Sequence, residues 1–121
     1  MILVDTSVWI DHFHRGDSEL NRLLAARSVC MHSAVVGELA MGNLSQRASV
    51  LAELRALPAA REATSPEVLD MVETRRLFGR GISYVDAQLL TSAALNGDRL
   101  WVRDKRTRAA AKRLGIAHDA E

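Results

Sequence analysis

Four acids of this chain sit where an ordinary surface charge is not expected: Asp5, Glu38, Asp86 and Asp104. Asp5 directly follows the apolar run Met1-Ile-Leu-Val, and Asp104 follows Leu100-Trp101-Val102 with one residue between. Both runs are short, β-prone and bounded, so they read as buried strands with an acid at the carboxyl end. Ligands of open α/β sheets bind at that end. Glu38 and Asp86 lie in helical segments. The neighbours of Glu38 at three and four residues are Ala34, Val35, Met41 and Gly42, and those of Asp86 include Leu89 and Leu90. Residues at these spacings share a helix face, so each acid is expected in an apolar stripe pointing toward the core.

A buried carboxylate is costly unless it is paired or bound to a cation. Four of them gathered at one end of a sheet repel one another at neutral pH, and a divalent cation resolves that repulsion. All-oxygen ligation favours Mg²⁺ or Mn²⁺ over Zn²⁺. No Cys/His spacing has the pattern of a zinc site, and His12, His14, His32 and His118 are scattered. A carboxylate-held Mg²⁺ binds a phosphate oxygen, lowers the pKa of a water and stabilises in-line displacement at phosphorus. The chemistry implied is phosphodiester hydrolysis or phosphoryl transfer. A structural role stands beside each acid. Asp5 could serve only to cap the helix that follows, and Asp86, three residues after Ser83, fits the acidic end of a capping box.

The elements that must position these acids alternate along the chain. After the first strand, Thr6 and Ser7 can cap a helix through Phe13, closed by Arg15-Gly16. Asp17-Ser18 opens a second helix through Ala26, with Leu20, Leu23 and Leu24 on one face. Val29 to Met31 reads as a strand, Ser33 caps a helix to Gly42, and a further helix covers 45–57. Residues 60–63 are a weak strand candidate. Ser65-Pro66-Glu67 starts a helix, Ser83 caps the next to Leu95, and Asn96-Gly97 stops it. Leu100 to Val102 is a strand, 105–114 a basic helix, and Ile116-Ala117 a last short strand. Alternation of this kind predicts an α/β fold: a mostly parallel central sheet covered on both faces, in three α/β/α layers. At 121 residues and 48% hydrophobic content, a single folded domain over 1–121 is expected.

The net charge of +1 singles out no class of partner. Cys30 is the only cysteine, which fits a reducing compartment and an inert core thiol. The start of the chain lacks a basic leader, and no apolar run approaches the roughly 18 residues of a membrane span. A cytoplasmic protein without membrane attachment is the expectation.

With these residues in hand, the chain resembles a PIN-domain ribonuclease of the VapC toxin type, over nearly its whole length. The resemblance is carried by Ile2-Leu3-Val4-Asp5-Thr6-Ser7-Val8-Trp9-Ile10-Asp11, by Gly37-Glu38-Leu39, by Ile82-Ser83-Tyr84-Val85-Asp86-Ala87 and by Leu100-Trp101-Val102-Arg103-Asp104. It implies a metal-dependent endoribonuclease acting as the toxin of a toxin–antitoxin pair, with a VapB-like antitoxin and a homodimer. It implies that Asp5, Glu38, Asp86 and Asp104 hold Mg²⁺ or Mn²⁺ directly or through water, with Ser7 as a supporting hydroxyl. Asp104 could instead cap the last helix, and Asp11 is expected to cap or to make local hydrogen bonds.

Arg103, Lys105, Arg106, Arg108, Lys112 and Arg113 crowd the segment around Asp104. Beside a phosphate-cleaving metal, Arg103, Lys105, Arg106 and Arg108 are candidate RNA contacts. Such contacts position a nucleic acid without reading its sequence. With one Tyr, two Trp and two Phe there is no aromatic stacking platform. Two other readings compete. One is an aspartyl-phosphate transferase, disfavoured because the second acid it wants two residues after Asp5 is Ser7. The other is a catalytically inactive PIN-like module that only binds RNA or protein, disfavoured by retention of all four acids.

Overall fold

Three short strands lie side by side in the order β2-β1-β3, all parallel: β1 (Ile2–Val4), β2 (Val29–Cys30) and β3 (Arg99–Trp101). The coordinates are a computed structural model that describes residues 1–119. A single parallel bridge extends each side of the sheet, Met31 with Ala59 beyond β2 and Leu100 with Ala117 beyond β3. The weak strand expected at 60–63 is therefore only a bridge, and it forms slightly earlier, where Met31 bonds the backbone of Pro58 and Ala60. Pro58-Ala59-Ala60 has no β-branched side chain to favour a longer strand.

Seven helices among the described residues cover the sheet. They are α1 (Thr6–Arg15), α2 (Ser18–Ala25), α3 (Ser33–Ala40), α4 (Arg47–Ala56), α5 (Ser65–Thr74), α6 (Tyr84–Asn96) and α7 (Lys105–Arg113). Leu3 and Val4 of β1 and Leu100 of β3 are essentially inaccessible, packed with Leu20, Val35, Leu89 and Leu90 from the helices. Each such side chain contributes about 1.5–3 kcal/mol by leaving water. The arrangement is the three-layer α/β/α fold that the alternation of elements predicts.

Several helix starts fall one residue from their expected positions. Asp5, not Thr6 or Ser7, is the N-cap of α1. His32, not Ser33, caps α3. Thr64, not Ser65, caps α5, because only that register places Glu67 at the third helical position and closes a reciprocal capping box. No helix among the described residues is long and apolar enough to cross a membrane.

One acid the sequence reading did not single out is buried at the opposite, amino-terminal edge of the sheet. Asp98 lies 3.1 Å from the Met1 ammonium, accepts from Asn96 at 2.8 Å and faces the Cys30 thiol at 3.8 Å. Burial, then the Asp98 charge, push that thiol up to about 11, so it is an inert core group as expected.

Candidate active site

The parallel strands all end on the same edge: Asp5 leaves β1, Asp104 lies three residues beyond β3, Glu38 is on α3 after β2, and Asp86 is in the first turn of α6, the helix that precedes β3. Asp5 leaves β1 and is nearly buried; its backbone N–H donates to the Trp101 carbonyl at 3.0 Å, which fixes it beside the end of β3. Its Oδ2 accepts the Ser7 hydroxyl at 2.8 Å and, more weakly, the Ser7 N–H at 3.4 Å. Asp5 is thus the N-cap of α1, with its carboxylate bonded by the Ser7 hydroxyl and N–H.

Glu38 corrects an expectation: it is exposed, not turned toward the core. The buried line of α3 is Val35 and Leu39, while Met41, counted as its same-face neighbour, is 88% exposed. A short helix that is apolar on nearly every side has no defined stripe, so its tertiary setting chooses the face. Glu38 is nevertheless joined to the first strand's end, because the Thr6 hydroxyl donates to its Oε1 at 2.6 Å. Oε2 of Glu38 accepts no hydrogen bond among the described residues.

Asp86 sits in the first turn of α6, half-buried, with its N–H donating to the Ser83 hydroxyl at 3.1 Å as the cap predicts. Burial, then the charges of Asp5 and Asp104, hold its carboxyl above the usual range, against the pull of the Thr107 and Ser83 hydroxyls. Asp104 is exposed and caps α7: its Oδ2 accepts from the Thr107 N–H at 3.0 Å and the Thr107 hydroxyl at 2.9 Å. Those bonds keep its carboxyl below the usual range. The same Thr107 hydroxyl stands 3.0 Å from Asp86 Oδ2. Every one of the four acids therefore touches a hydroxyl side chain. Ser7 is evident from the sequence, whereas Thr6 and Thr107 are not, because the acids Glu38 and Asp86 that they bond lie 32 and 21 residues away.

The donor set is all oxygen, which suits a hard divalent cation. Among the described residues no three His, Cys, Asp or Glu side chains stand close enough to enclose an ion by themselves. Waters would complete the shell, as Mg²⁺ commonly requires.

The basic residues divide. Arg103 is held by ion pairs to Asp11 at 3.1 Å and Asp17 at 3.0 Å and lies over the Trp101 ring. Asp11 thus makes a long-range ion pair where local hydrogen bonds were expected. Arg108 pairs with Asp119 at 3.1 Å. Lys105 and Arg106 are exposed at the start of α7. Arg106 lies across Gly81, where an added Cβ would meet its guanidinium at 2.5 Å.

Beside Glu38 runs a groove of about 720 Å³ between α1, α3 and α4. Its walls include Ile10, Phe13, Leu39 and Val50, and Ile10 and Phe13 are substantially exposed.

Residues 2–113 match the PIN domain family. The chain is 49% identical to Ribonuclease VapC32 of two strains of Mycobacterium tuberculosis, covering 97% of this chain and 95% of that protein. It is also similar in fold to the crystal structure of PAE2754 from Pyrobaculum aerophilum, with TM-score 0.60 and 17% identity over 94% of this chain and 88% of the other. The chain belongs to the PIN-domain family, and within it to the VapC type.

Proposed function

We propose that this chain is an endoribonuclease, the toxin of a toxin–antitoxin pair, which hydrolyses RNA at the carboxyl edge of its sheet with Mg²⁺ or Mn²⁺ held by Asp5, Glu38, Asp86 and Asp104. The observation that carries the reading is the meeting of Asp86 and Asp104 at one buried hydroxyl, that of Thr107, 3.0 Å from Asp86 Oδ2 and 2.9 Å from Asp104 Oδ2, where burial and then the charges of Asp5 and Asp104 hold the Asp86 carboxyl above its usual range. A cluster of acids that a protein does not neutralise with bases is suited to a cation. When bound, the cation would offset phosphate charge and supply a water of lowered pKa.

The chain's own residues would do the rest. Ser7, Thr6 and Thr107 fix one oxygen of each acid. Glu38, exposed and bonded through Oε1 to Thr6, would bind or orient the attacking water and take its proton. The water oxygen would bond to phosphorus as Glu38 takes its proton, the P–O bond to the leaving oxygen would break, and that oxygen would take its proton from a second water. Lys105 and Arg106 would contact flanking phosphates; the ion-paired Arg103 and Arg108 are the weaker candidates.

A VapB-like antitoxin is the partner that the family implies, and the groove lined by Ile10, Phe13 and Leu39 would receive its tail, with Glu38 at hand for a basic residue. A homodimer and a cytoplasmic location complete the reading. The test is cleavage of labelled RNA with added Mg²⁺ or Mn²⁺. Cleavage that EDTA stops and that Asp86→Asn lacks supports it; RNA binding with no cleavage under any metal would favour the inactive binding module.

A further inference from the structure

Thr107 is among the least exposed polar residues of the chain, at 1%. It lies in the first turn of the basic helix α7, a setting that normally leaves a threonine hydroxyl in water or bonded to a carbonyl one turn back. Here the hydroxyl does neither. It stands 3.0 Å from Asp86 Oδ2 on α6 and 2.9 Å from Asp104 Oδ2 at the start of its own helix. One hydroxyl has one proton, so it can donate to only one of these oxygens at a time. The two carboxylates are therefore held around a single buried atom, no further apart than the two contacts laid end to end.

We infer that Thr107 is a positioning residue, whose hydroxyl sets the spacing of the Asp86 and Asp104 carboxylates for the divalent cation. The inference rests on the metal-site reading above. Two features separate this role from simple helix capping. The cap of α7 is already made by the Thr107 N–H, which any residue but proline would supply. The hydroxyl instead reaches another helix, joining acids 18 residues apart in the sequence. Partners of metal ligands fix ligand orientation in this way, and losing one typically costs about 10–100-fold in metal affinity.

The experiment is Mn²⁺ binding by the full chain, read by electron paramagnetic resonance of free Mn²⁺, for wild type, Thr107→Val, Thr107→Ser and Thr107→Ala. Valine keeps the shape and the backbone donor and removes only the hydroxyl. The expected result is a Kd for Mn²⁺ weakened about tenfold or more in Thr107→Val, and near wild type in Thr107→Ser. If Thr107→Val fails to fold, the comparison of Thr107→Ser with Thr107→Ala carries the same prediction. Unchanged affinity in the folded variant without the hydroxyl overturns the inference while leaving the metal site standing. Equal weakening in the serine variant also overturns it, because the methyl group and not the hydroxyl would then be the cause. Absence of Mn²⁺ binding by the wild type overturns the metal-site reading itself, and this inference with it.

Discussion

The Thr6 hydroxyl donates to Glu38 Oε1 at 2.6 Å, tying the first turn of α1 to the exposed face of α3 across 32 residues of chain. Glu38 has no burial to hold it in place, so this bond is its main restraint. Thr6→Val is expected to lower kcat about tenfold with little change in Tm, since it loosens the acid without opening the core. In a Glu38→Gln background the same substitution should cost much less. Single-turnover kinetics on the four proteins of that cycle measure the coupling.

Asp86→Asn is expected to stabilise the metal-free chain while abolishing cleavage. Burial and the charges of Asp5 and Asp104 disfavour an ionised Asp86 in the fold. Asparagine removes that charge and still offers Thr107 an acceptor oxygen. A gain of about 1 kcal/mol, seen as a Tm higher by a few degrees in EDTA, is the predicted outcome. A lower Tm would mean that the carboxylate contributes more to the fold than its repulsions remove.

Acid should weaken the fold through His32. Burial holds its imidazole below the ordinary value of 6.5, with Glu62 pulling the other way. Its Nδ1 accepts the Ala34 N–H at 3.0 Å and so caps α3, a role that protonation would end. A depressed folded value means that the unfolded chain takes up the proton first. The contribution is complete above 6.5 and is lost as pH falls from there through the lower folded value. Urea unfolding between pH 8 and pH 5 should show this slope, and His32→Asn, which keeps a cap acceptor, should flatten it.

Arg103 and Arg106 should separate in RNA binding. Arg106→Ala is expected to weaken binding and reduce the salt slope by about one ion, whereas Arg103→Ala, which removes a side chain already paired to Asp11 and Asp17, should leave the slope unchanged. Gly81→Ala should weaken binding less than Arg106→Ala and leave the salt slope near that of the wild type, because the shifted guanidinium keeps its charge. At φ +74° an alanine is strained, and its methyl would displace the Arg106 guanidinium.

Much of this was legible in the sequence because short apolar runs and capping residues act locally. Both acid-bearing strand ends follow from a few consecutive residues each, and Ser83 with Asp86 marks the start of α6. The caps His32 and Thr64 lie one residue before the serines that the sequence suggests: Ser33 is instead bonded to Glu62, 29 residues away, and Thr64 is favoured over Ser65 by its reciprocal bonds with Glu67. The face of Glu38 was misjudged because α3 is apolar on nearly all sides. Thr6 and Thr107 carried no local signal, since what gives each its role is an acid 32 or 21 residues away. The ion pairs of Arg103 with Asp11 and Asp17 were hidden for the same reason.

The central claim is that the acids around Asp5 hold a cation that cuts RNA, and one comparison tests it most directly. Wild type and Asp5→Asn, both confirmed folded by circular dichroism, are incubated with labelled total RNA in Mg²⁺, Mn²⁺ or EDTA. Asparagine retains an acceptor for Ser7, so the cap of α1 survives the change. The expected result is discrete cleavage by wild type with metal, none in EDTA, and loss of at least about 100-fold in Asp5→Asn. Cleavage by Asp5→Asn at the wild-type rate, or cleavage that persists in EDTA, would contradict it.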